Sequence, residues 1–542
     1  MTFFNERNIN PIFEKINLAS GITIKSTKSF VKSKTLIKKT EPILFYLIVV
    51  ILAMPVFCYD YFVTNDGPAH VYNANLIAHY FGAYHQNISA LFNFNTSIEP
   101  NWIGHIVLIL FKLFASGAFS EKLLVASILL TFPIAVRNLI ITLNKENALI
   151  AWLSIPFAFN FILGLGFYNF SIGIVILLFA INYSIKKTFE FKGKQLFVLL
   201  MFSILLYFSH LIVYGLFLAF ISLGILLKRN ESLKMLAHFT SFQLPLLLLC
   251  FLFLFNHSKG ASADALGFEV LTDWFLKARP LLVYNESLEV WFGYATNIII
   301  SFVLISGIIL SIFNKKNRLK NTHFLLFLVF TLLMLVLFFV APNELVSGGF
   351  LNIRMLLLFY IFLIVLLSFF QFNRVLLLLP IIILTSIAFY QQLNKFSTIK
   401  ILANESKELT CLENYLKEGR TIIPLNYSAN WLHTNLSNYL SSDKLLLLLD
   451  NYEANTVHFP LKWVPKSHPN PLLGNFSYSL NPTINIAAYE NKTGIQIDYI
   501  VRWCYQHLPK DSISEKTNLE ITKYFKLIYT SPKGNAELFE RL

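Results

Sequence analysis

Charge is what this 542-residue chain has least of. Asp, Glu, Lys and Arg together make up 14% of it, against 56% hydrophobic residues. A soluble globular domain is about 25% charged, so a water-soluble fold is excluded. Cysteine is also scarce. Cys58 and Cys250 lie in apolar helical stretches and read as packing residues, and Cys411 and Cys504 lie near the C-terminus, where they could pair in an oxidising compartment. There is no CxxC and no Cys/His spacing suited to a metal. A Gly-rich phosphate loop and an internal repeat are missing too, and the second absence weakens a repeat-built transporter. No cleavable signal is present: residues 1–41 are polar and basic, and the apolar run after them lacks a small-residue cleavage site.

What the chain has in abundance is membrane-length apolar sequence. Such runs recur from Pro42 to Gln391, twelve in all. The net charge of +14 is concentrated in Lys25–Lys39, Lys186–Lys194, Lys228-Arg229 and Lys315–Lys320, as expected for cytoplasmic loops and not for nucleic-acid binding. Alternating the loops on that basis leaves one run surplus. The short Ile103–Phe119, with His105 and Lys112, is taken as re-entrant or interfacial, which gives about eleven crossings. The expected architecture is an all-α polytopic membrane domain followed by a small extracytoplasmic α/β domain. Its parts are a basic cytoplasmic segment 1–41, a membrane domain 42–391 with an outer loop 59–102, and a C-terminal domain 392–542. In the last, Thr421–Leu425 and Ile497–Val501 read as strands, Asn430–Tyr439 as helical, and Phe525–Tyr529 with Ala536–Glu540 as a hairpin around Ser531–Asn535. The loop Asn256–Trp291 reads as a helix lying on the membrane, anchored by Trp274 and Trp291.

The outer loop Tyr59–Trp102 has no Lys or Arg but holds Asp60, Asp66, Glu99, His70, His79 and His85. In Asp66-Gly67-Pro68, Gly permits a sharp entry and Pro suits a first helical turn, so a surface helix Pro68–Phe81 is expected. His70 and Asn73 then fall on the face nearest Asp66. A carboxylate beside a helix N-terminus stays ionised. It suits a general base or a ligand for a divalent ion, Mg2+ or Mn2+. A cap is its purely structural role, and Asp60 is a second, weaker candidate. Two groups at membrane depth add to these: His210, at the break between two apolar runs, and Arg354, one turn into another. A guanidinium there needs an anion, and a phosphate fits its paired donors. Lys277 and Arg279 rank behind as phosphate ligands. Gly164–Phe170 interrupts a hydrophobic stretch and brings Tyr168 and Asn169 to the same outer side.

A basic N-terminus, one span, an acidic loop with Asn65-Asp66-Gly67-Pro68-Ala69-His70, many further spans and a small outer C-terminal domain resemble the GT-C superfamily of membrane glycosyltransferases, which includes protein mannosyltransferases and aminoarabinose transferases. That resemblance implies a polyprenyl-phosphate-linked sugar donor, an acceptor that is a glycan, a lipid or a protein, and transfer on the outer face of a bacterial inner membrane. It matches Asp66 to the loop acid. Family members often carry two adjacent acids there, and here the neighbour is Gly67. A lipid-linked-glycan transporter, or a non-catalytic scaffold of the same architecture, is the alternative.

Overall fold

The computed structural model describes residues 25–228, 232–257, 265–313, 321–345, 348–456, 458–474, 482–507 and 511–542. Arg229, the cluster Lys315–Lys320 and residues 1–24 lie outside them. The chain forms two compact units, 1–51 and 52–542. In the first, α1 (Lys25–Ala53) carries most of the first candidate span, Lys39–Phe57.

In the second unit, the polar loop after the first span folds into α2 (Gly67–His79), α3 (His85–Leu91) and β1 (Phe92–Phe94). The apolar region follows as α4 (Ile103–Lys112), α5 (Gly117–Asn144), a 3-10 stretch Lys145–Phe157, α6 (Tyr168–Lys186), α7 (Gly193–Ser209), α8 (Leu211–Leu226), α9 (Ser232–His257), α10 (Phe268–Leu276), α11 (Glu286–Phe313), α12 (Thr322–Val340), α13 (Leu351–Leu367) and α14 (Arg374–Thr410). Among the described residues, 7 helices are long and apolar enough to cross a membrane. Ile103–Lys112, Gly193–Ser209, Leu211–Leu226 and Leu351–Leu367 are shorter apolar helices. The two expected spans Leu123–Leu143 and Ala148–Leu163 fall in one 48-residue candidate, Gly117–Gly164, which is far longer than the roughly 20 residues a bilayer requires. Its second half is 3-10 and kinks at Asn147. There the Asn147 amide donates to the carbonyls of Ser368 and Phe370, which ties the kink to the chain just after Leu367. Every residue of α13 is buried, the pattern of a helix surrounded by others. Cys411 and Cys504 are free thiols.

The C-terminal region forms a five-stranded sheet in the order β3-β2-β5-β7-β6. Its strands are β2 (Thr421–Asn426), β3 (Leu447–Leu448), β5 (Tyr499–Trp503), β6 (Phe525–Thr530) and β7 (Ala536–Arg541). β2 pairs in parallel with β3 and with β5, while β7 is antiparallel to both β5 and β6. The expected strands and hairpin are all present. Asn430–Tyr439 is instead two 3-10 turns, Trp431–His433 and Leu436–Ser441.

The outer loop and this sheet share one hydrophobic core. Tyr72, Leu76, Ile88, Leu91 and Phe92 cluster with Leu436, Tyr439, Leu446 and Ile500. Burying each such large side chain contributes about 1.5–3 kcal/mol. β1 also pairs with β4 (Leu461–Trp463). Loop 59–102 and the tail therefore lie on the same side of any membrane that the spans cross. The expected boundary at residue 391 falls inside α14, which runs unbroken from the apolar region into the tail.

Candidate functional site

The segment Thr64–Gly67 is held against Gly164–Gly166 by main-chain bonds. The Asn65 amide donates to the Gly164 carbonyl and the Asp66 amide to that of Leu165. Gly166 has φ +85°, and a Cβ there would press on the Asp66 and Gly67 nitrogens, so glycine is required. Gly67 faces the buried Thr64, Tyr168 and Glu121 side chains, and a Cβ would overlap all three. Below it the Glu121 carboxylate accepts from the Tyr168 hydroxyl at 2.5 Å and the Tyr439 hydroxyl at 2.6 Å. This network ties α5, α6 and the tail to the turn that presents Asp66.

Asp66 occupies the N-cap position of α2, but its side chain makes no cap hydrogen bond. The Thr64 hydroxyl accepts from the Gly67 amide instead, at 3.1 Å. The Asp66 carboxylate is therefore free of the structural task that its position suggests. It accepts from Asn435 Nδ2 at 3.2 Å and from the Tyr452 hydroxyl, both on the tail. Burial pushes its pKa up to about 6, with Glu453 adding to the rise and His70, Tyr452 and Arg354 opposing it. At neutral pH the group is mostly ionised.

A cavity of about 370 Å³ is lined by Asp66, His70, Asn169, His210 and Arg354. These five sequence candidates are thus brought together. Much of the remaining wall is apolar, from Phe167, Phe170, Leu211, Phe253 and Phe350. Arg354 Nη1 donates to His210 Nε2 at 2.6 Å, so this imidazole accepts and is neutral. The guanidinium lies over the Phe167 and Phe170 rings, 4.6 and 5.2 Å from their centroids. Its buried Nε reaches no acceptor among the described residues. His458, also on the cavity wall, is held neutral: burial and then Arg354 bring its pKa down to about 4.

Other candidates are placed elsewhere or already engaged. Asn169 uses both ends of its amide to fix the start of α4, accepting from the Gly104 amide and donating to the Asn101 carbonyl. Asn73 turns away from Asp66 and exchanges buried amide bonds with Asn451. Asp60 is a surface partner of Lys407. Lys277 pairs with Asp273 and Glu286, and Arg279 lies over Phe161 while donating to the Leu282 carbonyl. Neither Lys277 nor Arg279 lines the cavity.

No family model matches the chain, and no curated protein is similar to it.

Three groups were invisible to sequence reasoning. Glu453, on a 3-10 turn of the tail (Glu453–Asn455), is buried with Oε1 2.6 Å from His70 Nδ1 and Oε2 2.8 Å from His105 Nε2. Burial alone would raise its pKa, yet His105 and His70 bring it down to about 2. Burial would likewise lower His70, but the Glu453 charge overrides this and raises it. Among the described residues, His70, His105 and Glu453 form a group with donor atoms within 4.8 Å of one another, suited to a shared ion. Asp66, the expected metal ligand, is not in that group. Tyr452 and His458 complete the tail's contribution to the cavity. None of the three stands out in the sequence; Glu453's partner His105 does, as a histidine inside a short apolar run.

Proposed function

We propose that this protein is an integral membrane glycosyltransferase of the GT-C type. It moves a sugar from a polyprenyl-phosphate-linked donor to an acceptor on the outer face of the membrane. The observation that carries the reading is the cavity that joins a carboxylate free of capping duty, Asp66, to a buried guanidinium, Arg354, whose Nε has no acceptor among the described residues. A buried guanidinium with an unmet N–H is costly unless a ligand supplies the acceptor. A donor phosphate would receive the Arg354 donors, with the apolar wall taking the first part of the lipid chain. Asp66 would accept the proton of the acceptor hydroxyl as it attacks the anomeric carbon, while the polyprenyl phosphate leaves toward Arg354. The cavity falls within the about 300–1,000 Å³ typical of small-molecule sites. An orientation with loop 59–102 and the tail outside agrees with the basic loops. About eleven crossings result if Gly117–Gly164 crosses twice and three of the four shorter apolar helices also span. Asp66 has no second acid beside it, so the proposed base acts alone, positioned by Tyr452 and Asn435.

The test is direct. Purified protein in lipid nanodiscs is given a panel of polyprenyl-phosphate sugars, and release of the polyprenyl phosphate is followed. Turnover of at least one donor, abolished in Asp66→Asn, supports the reading. Saturable donor binding with no turnover under any acceptor condition would instead favour a transporter or a scaffold.

A further inference from the structure

We propose that His70, His105 and Glu453 form a binding site for one divalent transition-metal ion of the zinc class. The inference makes no assumption about glycosyl transfer. It starts from the hydrogen bond that His70 makes. Nε2 lies 3.0 Å from the Gly166 carbonyl, an acceptor only, so Nε2 carries the proton. In a neutral imidazole, the unprotonated Nδ1 then lies 2.6 Å from Glu453 Oε1. Two lone pairs at that distance repel unless a cation lies between them.

A second proton on His70, with neutral His105 donating Nε2–H to Glu453 Oε2, is one way to supply positive charge, and a single metal ion is the other. The first sums to zero; the second, one dication with two neutral imidazoles and one carboxylate, sums to plus one beside the Asp66 carboxylate on the same cavity wall. The convergence of three donor atoms within 4.8 Å of one another suits the ion. His70, His105 and Glu453 are each buried, with exposures of 5%, 1% and 1%.

The details fit a metal centre. The bond from His70 Nε2–H to a backbone carbonyl is the outer contact that fixes the tautomer and aim of a metal-bound histidine. Phe459 packs on both imidazoles and Tyr168 on His70, which shields the group from water. Two nitrogens and one carboxylate oxygen match zinc-type sites with a further position for water or a ligand oxygen. They do not match Mg2+, which takes an all-oxygen octahedron. Metal–ligand bonds of about 2.0–2.2 Å would require the two N–O contacts to open by roughly half an ångström. The three ligands come from α2, α4 and the tail, so the ion would lock the tail onto the loop that presents Asp66.

The experiment uses the full chain, purified in detergent without a histidine tag. It is stripped with a chelator, reloaded with excess Zn2+, Co2+ or Mg2+, desalted and measured by inductively coupled plasma mass spectrometry. The expected result is about one Zn2+ or Co2+ per chain, visible d–d bands for the cobalt form, and a zinc-dependent rise in melting temperature that Mg2+ does not reproduce. His105→Ala and Glu453→Gln should each weaken zinc binding by more than the about 10–100-fold seen for outer contacts. The reloading of wild-type protein decides the matter even if a variant fails to fold. Failure of wild-type protein to retain zinc or cobalt would overturn the proposal. So would retention of Mg2+ in preference, or a wild-type zinc content in both variants when they remain monodisperse.

Discussion

Asp66→Asn separates the chemical from the structural role of the residue, because the two predict opposite signs. In the native state burial raises the Asp66 pKa from an ordinary 3.8 to about 6. A folded pKa above the unfolded one means stability that is fully present below pH 3.8 and lost as pH rises through 6. The rise corresponds to about 3 kcal/mol of penalty at pH 7.5, and to about half that at pH 5. The amide of the variant is neutral and escapes it. Against this gain stands the weakening of one of the two bonds that the carboxylate accepts, from Tyr452 or Asn435, at about 1–1.5 kcal/mol. No cap bond is lost, since the side chain makes none. The variant should therefore melt at or above the wild-type temperature at pH 7.5, with the advantage narrowing at pH 5. Sugar transfer should fall by about 10²–10⁴-fold if Asp66 is the base. The assays are scanning fluorimetry at both pH values and radiolabelled donor consumption in nanodiscs. Undiminished transfer would remove Asp66 from the chemistry. A loss of several kcal/mol of stability would refute the account of its burial.

Arg354→Lys keeps a charge but loses the planar fork, and donor binding measured by competition should weaken by about 10–100-fold while the fold persists. Asp450, half-buried between Ser437 and Asn438, has a pKa raised by burial from 3.8 to about 7, so its contribution is present below pH 3.8 and lost through pH 7. Asp450→Asn should accordingly stabilise by about 2–4 kcal/mol at pH 8 and by less at pH 5, as thermal melts at the two pH values will show. Gly67→Ala should destabilise by about 3 kcal/mol through overlap with Glu121, Thr64 and Tyr168, read from the melting temperature. In a Cys58→Ser background, Ser97→Cys and Asn455→Cys should both label from the same side with an impermeant maleimide, because β1 pairs with β4. Labelling from opposite sides would contradict the packing of loop and tail.

What could be read from the sequence was whatever is local. The terminal hairpin was legible because strand alternation and the Ser531–Asn535 turn lie within 17 residues, and the observed register joins Phe525 to Arg541. The α2 helix was legible from Gly67-Pro68, and it begins within one residue of the expected start. β1 and β4 were not legible. Each is 3 residues long, too short for a period, and they pair across more than 360 positions. The span count blurred where apolar composition continued through a change of backbone, as at Lys145–Phe157, since hydropathy does not distinguish a 3-10 stretch from an α-helix.

The site divides along the same line. Asp66, His210 and Arg354 could be found because a polar group in an apolar setting is conspicuous on its own. Glu453 could not. It stands among Asn451, Tyr452, Asn455 and Thr456, where an acid attracts no notice, and its meaning comes only from two histidines more than 300 residues earlier. The tail has a consequence here that its sequence hides. It supplies Glu453 to His70 and His105, Asn435 and Tyr452 to Asp66, Tyr439 to Glu121, and His458 to the cavity wall. A separate appended domain would bring its own core and leave the membrane helices with a complete site. Here the core is shared with Tyr72, Leu76 and Phe92 of the first loop. The loop that presents the acid and the tail that holds it in place are therefore one folding unit, and the geometry of Asp66 depends on residues from both ends of the chain.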